Sequence, residues 1–362
     1  MGQSPDSDSY NDNEDGIPFF QGNADFGEKY PTTRKWCNAP TKIAHAEDIL
    51  ISVRAPIGAL NYAKEECCIG RGLAAITPNQ DKVSSGFIYW LLKGKHKELN
   101  LQGTGSTFKA ISRKVLEEIK VPDIELKKQT ELAGSLEKVY SVIQLRKQQL
   151  EELDILIKAR FVEMFGDPIQ NEKNWSRRSL EQLCHSIVDC PHSTPNYISE
   201  DTGFMCIRTS VVKKNKILWD EIEYIVEDEF NQRIQRKRPE KGDIVYTREG
   251  AILGIAAIID RNCNVALGQR SMLLSPDSSV CTSEFICTAM NSDSFLSNAL
   301  RGISGSASPH INVGDIKSFE MIAPPLELQR KFSEFNGQVD KLKLNKIAAR
   351  WPAKAVAQFF FS

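Results

Sequence analysis

The sequence predicts a mixed α/β (α+β) chain, in which two tandem domains of mixed sheet and helices are separated by long helices that pair as an antiparallel coiled coil. Three observations carry this expectation. Short motifs recur in the same order about 200 residues apart, alternating apolar runs and glycine turns surround each recurrence, and two stretches place apolar residues at steps of four and three. Strands repeat every 2 residues and helices every 3.6, so the two kinds of pattern belong to different elements. With 362 residues and 41% hydrophobic content, the chain is long enough for about two ordinary domains, each with its own core.

The repeat is collinear. Gly16-Ile17-Pro18-Phe19-Phe20 answers to Gly203-Phe204-Met205-Cys206-Ile207, and Asp48-Ile49-Leu50-Ile51-Ser52 answers to Asp243-Ile244-Val245-Tyr246-Thr247. Gly70-Arg71-Gly72 then matches Gly268-Gln269-Arg270, Phe87-Ile88 matches Phe285-Ile286, and "GSTFKAIS" from Gly105 matches "GSASPHIN" from Gly305. The offsets are 187, 195, 198, 198 and 200 residues. Chance matches would not keep their order, whereas a duplicated domain with small insertions does. Within each copy, "DILISV" and "DIVYTR" read as strands, and "SGFIYWLLKGKHKELN" and "SEFICTAMNSDSFLSNAL" read as helices. Trp175-Ser176-Arg177-Arg178-Ser179-Leu180-Glu181-Gln182-Leu183, a strand and helical turn opening the second copy, has no counterpart in the first, which is expected to lack its opening element.

Between the copies the period becomes helical. Leu132, Leu136, Val139, Ile143, Leu150, Leu153, Ile157 and Met164 follow steps of four and three, with Arg146 and Arg160 at the two missing positions. This is a heptad seam on a helix about 50 Å long, stopped at Gly166-Asp167-Pro168. Leu328, Phe332, Phe335, Val339 and Leu342 repeat the seam after the second copy, before Lys346 and Trp351-Pro352 break it. The expected organisation is a first domain at 1–125, a long helix at 126–168, a second domain at 169–326, a shorter helix at 327–350 and an apolar tail at 351–362. An intramolecular spacer with no other partner is the alternative for these helices.

Lys and Arg number 46 against 47 for Asp and Glu, giving a net charge of -1, so any attraction for an anionic partner is local. Nine cysteines at irregular spacing fit a reducing compartment and buried thiols better than a disulfide framework. No apolar run approaches the roughly 20 residues of a membrane span, and the acidic, polar first residues do not resemble a secretory signal. The expectation is a cytoplasmic protein without membrane contact.

Motifs for catalysis are weak. "GTGSTF" at Gly103 lacks the third glycine of a nucleotide loop, and "APPLEL" at Ala323 lacks the polar and aromatic residues of an amino-methyltransferase motif. Pro122-Asp123 with Glu125 and Lys127 has the residue types of a metal-dependent nuclease, but stands where a long helix begins. Cys184, Cys190 and His192 lack the second ligand pair of a structural zinc site. With five histidines, no nucleophile and base stand out, so the chain reads as a binder with no metal or catalytic residue of its own.

The basic and polar residues recur at corresponding places in the two copies. Arg54 and Arg248 close the matched strands, Arg71 and Arg270 sit in the matched glycine turns, and Lys109 and His310 fall inside the matched octapeptides. Arginine in a turn reaches guanine edges bidentately, while lysine, Ser106 or Ser306 hold phosphates. Arg236 and Arg238, with Lys237, add a patch suited to a nucleic-acid backbone. The competing reading makes the glycine turns fold signatures and leaves the arginines solvated or paired with Asp and Glu.

"GQSPDSDSYN", "GIPFFQGNADFG", "DILISVRAPIGALN", "CIGRGLAAI" and "GSTFKAIS", then "ARFVEMFGDP" and "PPLELQ", in this order over nearly the whole chain, resemble the specificity (S) subunits of type I restriction-modification systems. The resemblance implies two target-recognition domains, each reading half of a bipartite site in double-stranded DNA, and helices that set the spacing. It also implies helix pairing and subunit docking through residues such as Leu136, Val139, Ile143, Leu150, Leu153, Ile157, Phe332, Val339 and Leu342, with two methyltransferase subunits and restriction-translocase subunits as the docked partners. The chain would bind no cofactor itself, since S-adenosylmethionine, ATP and Mg belong to the partners. Its place would be the cytoplasm, on the nucleoid through DNA. The unmatched start and shortened second helix fall where the family closes its two halves, so a single chain is expected to assemble poorly and to be rescued by a second S chain. A fused restriction-methyltransferase enzyme and a plain coiled-coil scaffold are the alternatives; the first requires a cofactor domain for which the chain offers no space, and the second leaves the paired polar turns unexplained.

Overall fold

The computed structural model describes residues 1–105, 109–301 and 309–348; Ser106, Ser306, Trp351-Pro352 and the apolar tail lie outside the described residues, as does the side chain of Lys346. The chain divides into two compact units, one reaching Arg146 and the other beginning at Lys147. Among the described residues, no helix is long and apolar enough to cross a membrane.

The first unit contains β1 (Ile17–Phe20), β2 (Ile49–Ser52), β3 (Leu60–Tyr62), β4 (Cys67–Ile69) and β5 (Leu73–Ile76), then α1 (Ser85–Gly94), α2 (His96–Leu101) and α3 (Arg113–Glu117), and the start of α4 (Leu126–Phe165). The second contains β6 (Cys184–Asp189), β7 (Met205–Ile207), β8 (Ile244–Thr247), β9 (Ala256–Ile258), β10 (Val265–Leu267) and β11 (Ser271–Pro276), then α5 (Ser283–Met290), α6 (Asp293–Ala299), α7 (Val313–Ser318) and α8 (Leu326–Ala348). A seven-residue helix at Glu227–Arg233, short strands and single helical turns fill the rest.

The repeat is built bond for bond. β2 is flanked antiparallel by β3 and β5, as β8 is by β9 and β11. β1 pairs parallel with β4 through Phe20 opposite Ile69, and β7 with β10 through Ile207 opposite Leu267. All residues of β2 and β8 are buried, which explains their unbroken apolar runs. Ser52 and Thr247 end these strands with hydroxyls that accept from the amides of Ala59 and Ile255, both at 2.9 Å. The sheet of β1 and β4 has five strands and that of β7 and β10 has three, and the sheets of β2 and β8 also differ. β11 is also paired by β6, making a four-stranded sheet, whereas the sheet of β2 has three strands.

α4 and α8 start alike. Gln129 and Gln329 are buried, and each Oε1 accepts a backbone amide, that of Ser84 at 2.9 Å or Thr282 at 3.0 Å, while each Nε2 donates to the carbonyl of Ile124 at 2.6 Å or Pro324 at 2.8 Å. One side chain thus fastens each long helix to the loop ahead of α1 or α5. Gln129→Leu and Gln329→Leu are each expected to lower stability by about 1–3 kcal/mol, because buried backbone groups lose their partners. Urea denaturation of the two variants measures this, and a neutral result for either removes that glutamine from the role.

The first half of α4 packs Leu132, Ala133, Leu136 and Tyr140 on the core of the first unit, beside Phe87 and Trp90 of α1. Its last turns bury Ile157, Phe161, Met164 and Phe165, with Leu153 against them, in the core of the second unit, together with Phe332 and Val339 of α8. There α4 and α8 run antiparallel, since Asp154 bonds Lys343 at 2.8 Å, Arg160 lies over the ring of Phe335, and Phe161 meets Phe332. Val139, Ile143 and Leu150 are half-buried. Leu342 departs from the expected seam, being 51% exposed. A straight helix drifts against a heptad repeat, and the inward place after Val339 passes to Lys343. Gly166 closes α4 at φ +77°, and Trp175 and Lys173 donate to its terminal carbonyls, which no backbone amide within the helix can reach.

The cysteines are free thiols, seven of them buried. Burial pushes Cys67, Cys184, Cys206 and Cys281 up to about 12, so they remain protonated and unreactive at neutral pH.

Candidate nucleic-acid interface

At one end of each principal sheet, four chain segments are tied together by backbone hydrogen bonds. In the first unit, Gly2 donates to Leu73, Val53 to Gly72, Ile111 to Val53, and Ala55 to Lys109, at 2.8–3.0 Å. In the second, Cys190 donates to Ser271, Arg248 to Arg270, Ile311 to Arg248, and Gly250 to Pro309, at 2.9–3.2 Å. Isolated bridges link Arg54 with Ala110 and Glu249 with His310. The glycine turn, the end of the central strand and the octapeptide loop, far apart in sequence, thus form one surface in each unit.

This correspondence corrects the alignment of basic residues. Arg248 corresponds to Val53, and Glu249 to Arg54. Arg71 corresponds to Gln269 and Arg270 to Gly72, while Lys109 corresponds to Pro309 and His310 to Ala110. The backbone is repeated and the side chains on it are not. Arg54, Arg71 and Lys109 are exposed in the first unit, as are Arg270, His310, Arg236 and Arg238 in the second. Arg236 also donates to the Asp189 carbonyl and Arg238 to Asn264 Oδ1, the latter at 2.6 Å.

Arg248 is not on the surface. It is 6% exposed, with Nε 2.9 Å from Asp189 Oδ1, Nη2 3.2 Å from Oδ2, a second contact to Glu249 at 2.9 Å, and Nη1 donating to the Ile311 carbonyl. Such a guanidinium, committed to a nearly buried carboxylate, holds β6, β8 and the octapeptide loop together and presents nothing to a ligand. The expectation that it contacts a ligand is therefore withdrawn. The exposed His192 ring lies 3.1 Å from the Asp189 carboxylate.

Arg233, inside the basic patch, is buried too. It pairs with Glu229 and donates to the carbonyls of Ser193 and Leu267, fastening the 190s loop to β10. Charge alone could not separate this residue from Arg236 and Arg238. Its i,i+4 spacing from Glu229 was the available signal. Among the described residues, no group of three or more His, Cys, Asp and Glu is placed to hold a metal ion.

Comparison with known proteins agrees with this duplicated architecture. The family model for the type I restriction modification DNA specificity domain matches residues 1–154 and again residues 172–349. Over 154 residues the chain is 43% identical to a protein of Methanocaldococcus jannaschii provisionally named type I restriction enzyme MjaX specificity subunit, covering 42% of this chain and 36% of that protein. Over 270 residues it is 23% identical to the type I restriction enzyme MjaVIII specificity subunit of the same organism, covering 71% and 63%. The chain therefore spans less than two thirds of the length of either relative. The crystal structure of a type I restriction-modification system S subunit from M. genitalium shares its fold, at 14% identity and a TM-score of 0.58, over 99% of this chain and 91% of that one. Two matched copies, one on each structural unit, place the chain in the type I restriction modification DNA specificity family.

Proposed function

We propose that this chain is the non-catalytic DNA-recognition subunit of a type I restriction-modification complex, each unit reading one half of a bipartite site in double-stranded DNA. One observation carries the reading above the others. The same four-segment surface is built twice on the same backbone bonds, and the exposed side chains on it differ position by position. A fold signature explains the shared bonds, while two unlike half-sites explain the differences. Exposed cations suit phosphates and base edges together, in a chain whose net charge is near zero.

The helices supply the docking surface for methyltransferase and restriction-translocase subunits. Val142, Leu145, Ile155, Leu156 and Val162 of α4 are exposed apolar side chains, of the kind that subunit interfaces cover. Two methyltransferase subunits, a second S chain as an alternative assembly, and a cytoplasmic, nucleoid-associated place belong to this reading. S-adenosylmethionine, ATP and Mg would be held by the partners.

Selection from a pool of randomised duplexes tests the proposal, using the chain together with its cognate methyltransferase subunits. Two short constant blocks separated by a spacer of fixed length and free sequence are expected. A single continuous block, or no enrichment, refutes it. Methyl transfer from labelled S-adenosylmethionine by the chain alone would make it an enzyme.

A further inference from the structure

Arg270 sits where a side chain is least welcome. Its φ is +72°, a left-handed backbone that glycine adopts freely and other residues rarely do. The corresponding residue of the first unit is Gly72, and there no side chain fits at all, because a Cβ would lie 2.3 Å from the Gln21 carbonyl oxygen. The first unit carries its arginine one position earlier, as Arg71. In the second unit that earlier position is Gln269, whose Oε1 accepts from the Thr194 hydroxyl at 2.9 Å. The arginine has therefore moved one residue along the turn, from the freer position to the strained one.

Among the described residues, nothing explains why it is there. The Arg270 side chain is exposed, extends past Gly250, and makes no hydrogen bond or ion pair with the described residues. Its backbone is held instead: the Arg270 carbonyl accepts from the Arg248 amide at 3.1 Å, and Arg248 is itself fixed by Asp189. Strained residues persist where their surroundings over-determine them, and they cluster at functional sites.

We infer that Arg270 is the specificity-determining residue of the second unit, its guanidinium fork contacting the guanine of a G·C pair in the major groove of the second half-site. Arg71 does so in the first unit, displaced by one residue along the turn. The inference rests on the DNA-recognition reading above. A planar fork of donors matches guanine O6 and N7, which a point charge does not, and the one-residue displacement lets one framework address different positions in the two half-sites.

The test uses the full chain with its methyltransferase partners and the bipartite duplex selected above. Arg270→Gly is expected to keep or raise the thermal midpoint, because it removes a strained Cβ. It should weaken binding to the selected duplex roughly 10- to 100-fold and abolish discrimination at one base pair of the second half-site, with the first half-site unchanged. Arg270→Lys, which keeps the charge and loses the fork, should relax the same base pair. Arg71→Gln should relax one pair of the first half-site instead. A lower midpoint for Arg270→Gly with unchanged discrimination makes Arg270 structural. An equal loss on every duplex sequence makes it a phosphate contact, and unchanged binding removes it from the interface; each of these overturns the inference. Failure of the unsubstituted complex to select any bipartite site would instead defeat the recognition reading itself.

Discussion

Arg248→Met is expected to destabilise the second unit by about 3–5 kcal/mol, the usual cost of removing one partner from a buried ion pair. The bidentate contact to Asp189 disappears, and so does the donor to the Ile311 carbonyl. Among the described residues, the Asp189 carboxylate is then left in a largely enclosed place with His192 at 3.1 Å. For a unit of this size the thermal midpoint should fall by roughly 6–20 °C, read as the second unit's transition in calorimetry. The double variant Arg248→Met with Asp189→Leu should recover most of the loss, since a buried ion pair and a well-packed apolar pair are of similar stability. The molecule contains a precedent, because Val53, buried, fills the same backbone position in the first unit. A loss under about 1 kcal/mol for the single variant would mean that Arg248 does not hold the segments together.

Much of this architecture was legible in the sequence. Strand-phase apolar runs, turn glycines and the helical period are local signals, and in both copies they fell in one order, so the duplication and its elements could be read directly. The functional surface was less legible, for a geometric reason. Aligning copies by matching residue types put Arg54 with Arg248, whereas hydrogen bonding puts Val53 there. A slip of one residue in a strand exchanges its buried and exposed faces, and here it separates a surface cation from a buried one. Burial of Arg248 depends on Asp189, 59 residues earlier, and no local pattern reports such a pair. Gln129 and Gln329 were visible, standing at the same offset of 200 residues as the octapeptides, but their role needed the loops they hold. The heptad reading placed Phe332 and Val339 inward, as they are, while the straight helix turns Leu342 outward. Ser106 and Ser306 lie outside the described residues.

That turn of α8 gives a matched pair of truncations. Phe332 is fully buried, with its ring centroid 5.5 Å from Phe161 and 5.6 Å from Phe165, both edge-on, and these two rings also meet Phe285 of α5. Phe332→Ala removes the ring through which α8 joins α4 and the second core, and should cost about 3–5 kcal/mol. Four interlocked rings leave little freedom to close the cavity, which favours the upper part of that range. Leu342→Ala lies ten residues further along the same helix, and at 51% exposure it should change stability by less than about 0.5 kcal/mol. Both are measured by urea denaturation at equal slope. Were the heptad phase kept to the end of the helix, Leu342 would be inward and its truncation costly, so the ratio of the two losses reports the phase directly. A large loss at Phe332 would show that the end of α4 is clamped by the second copy's own helix.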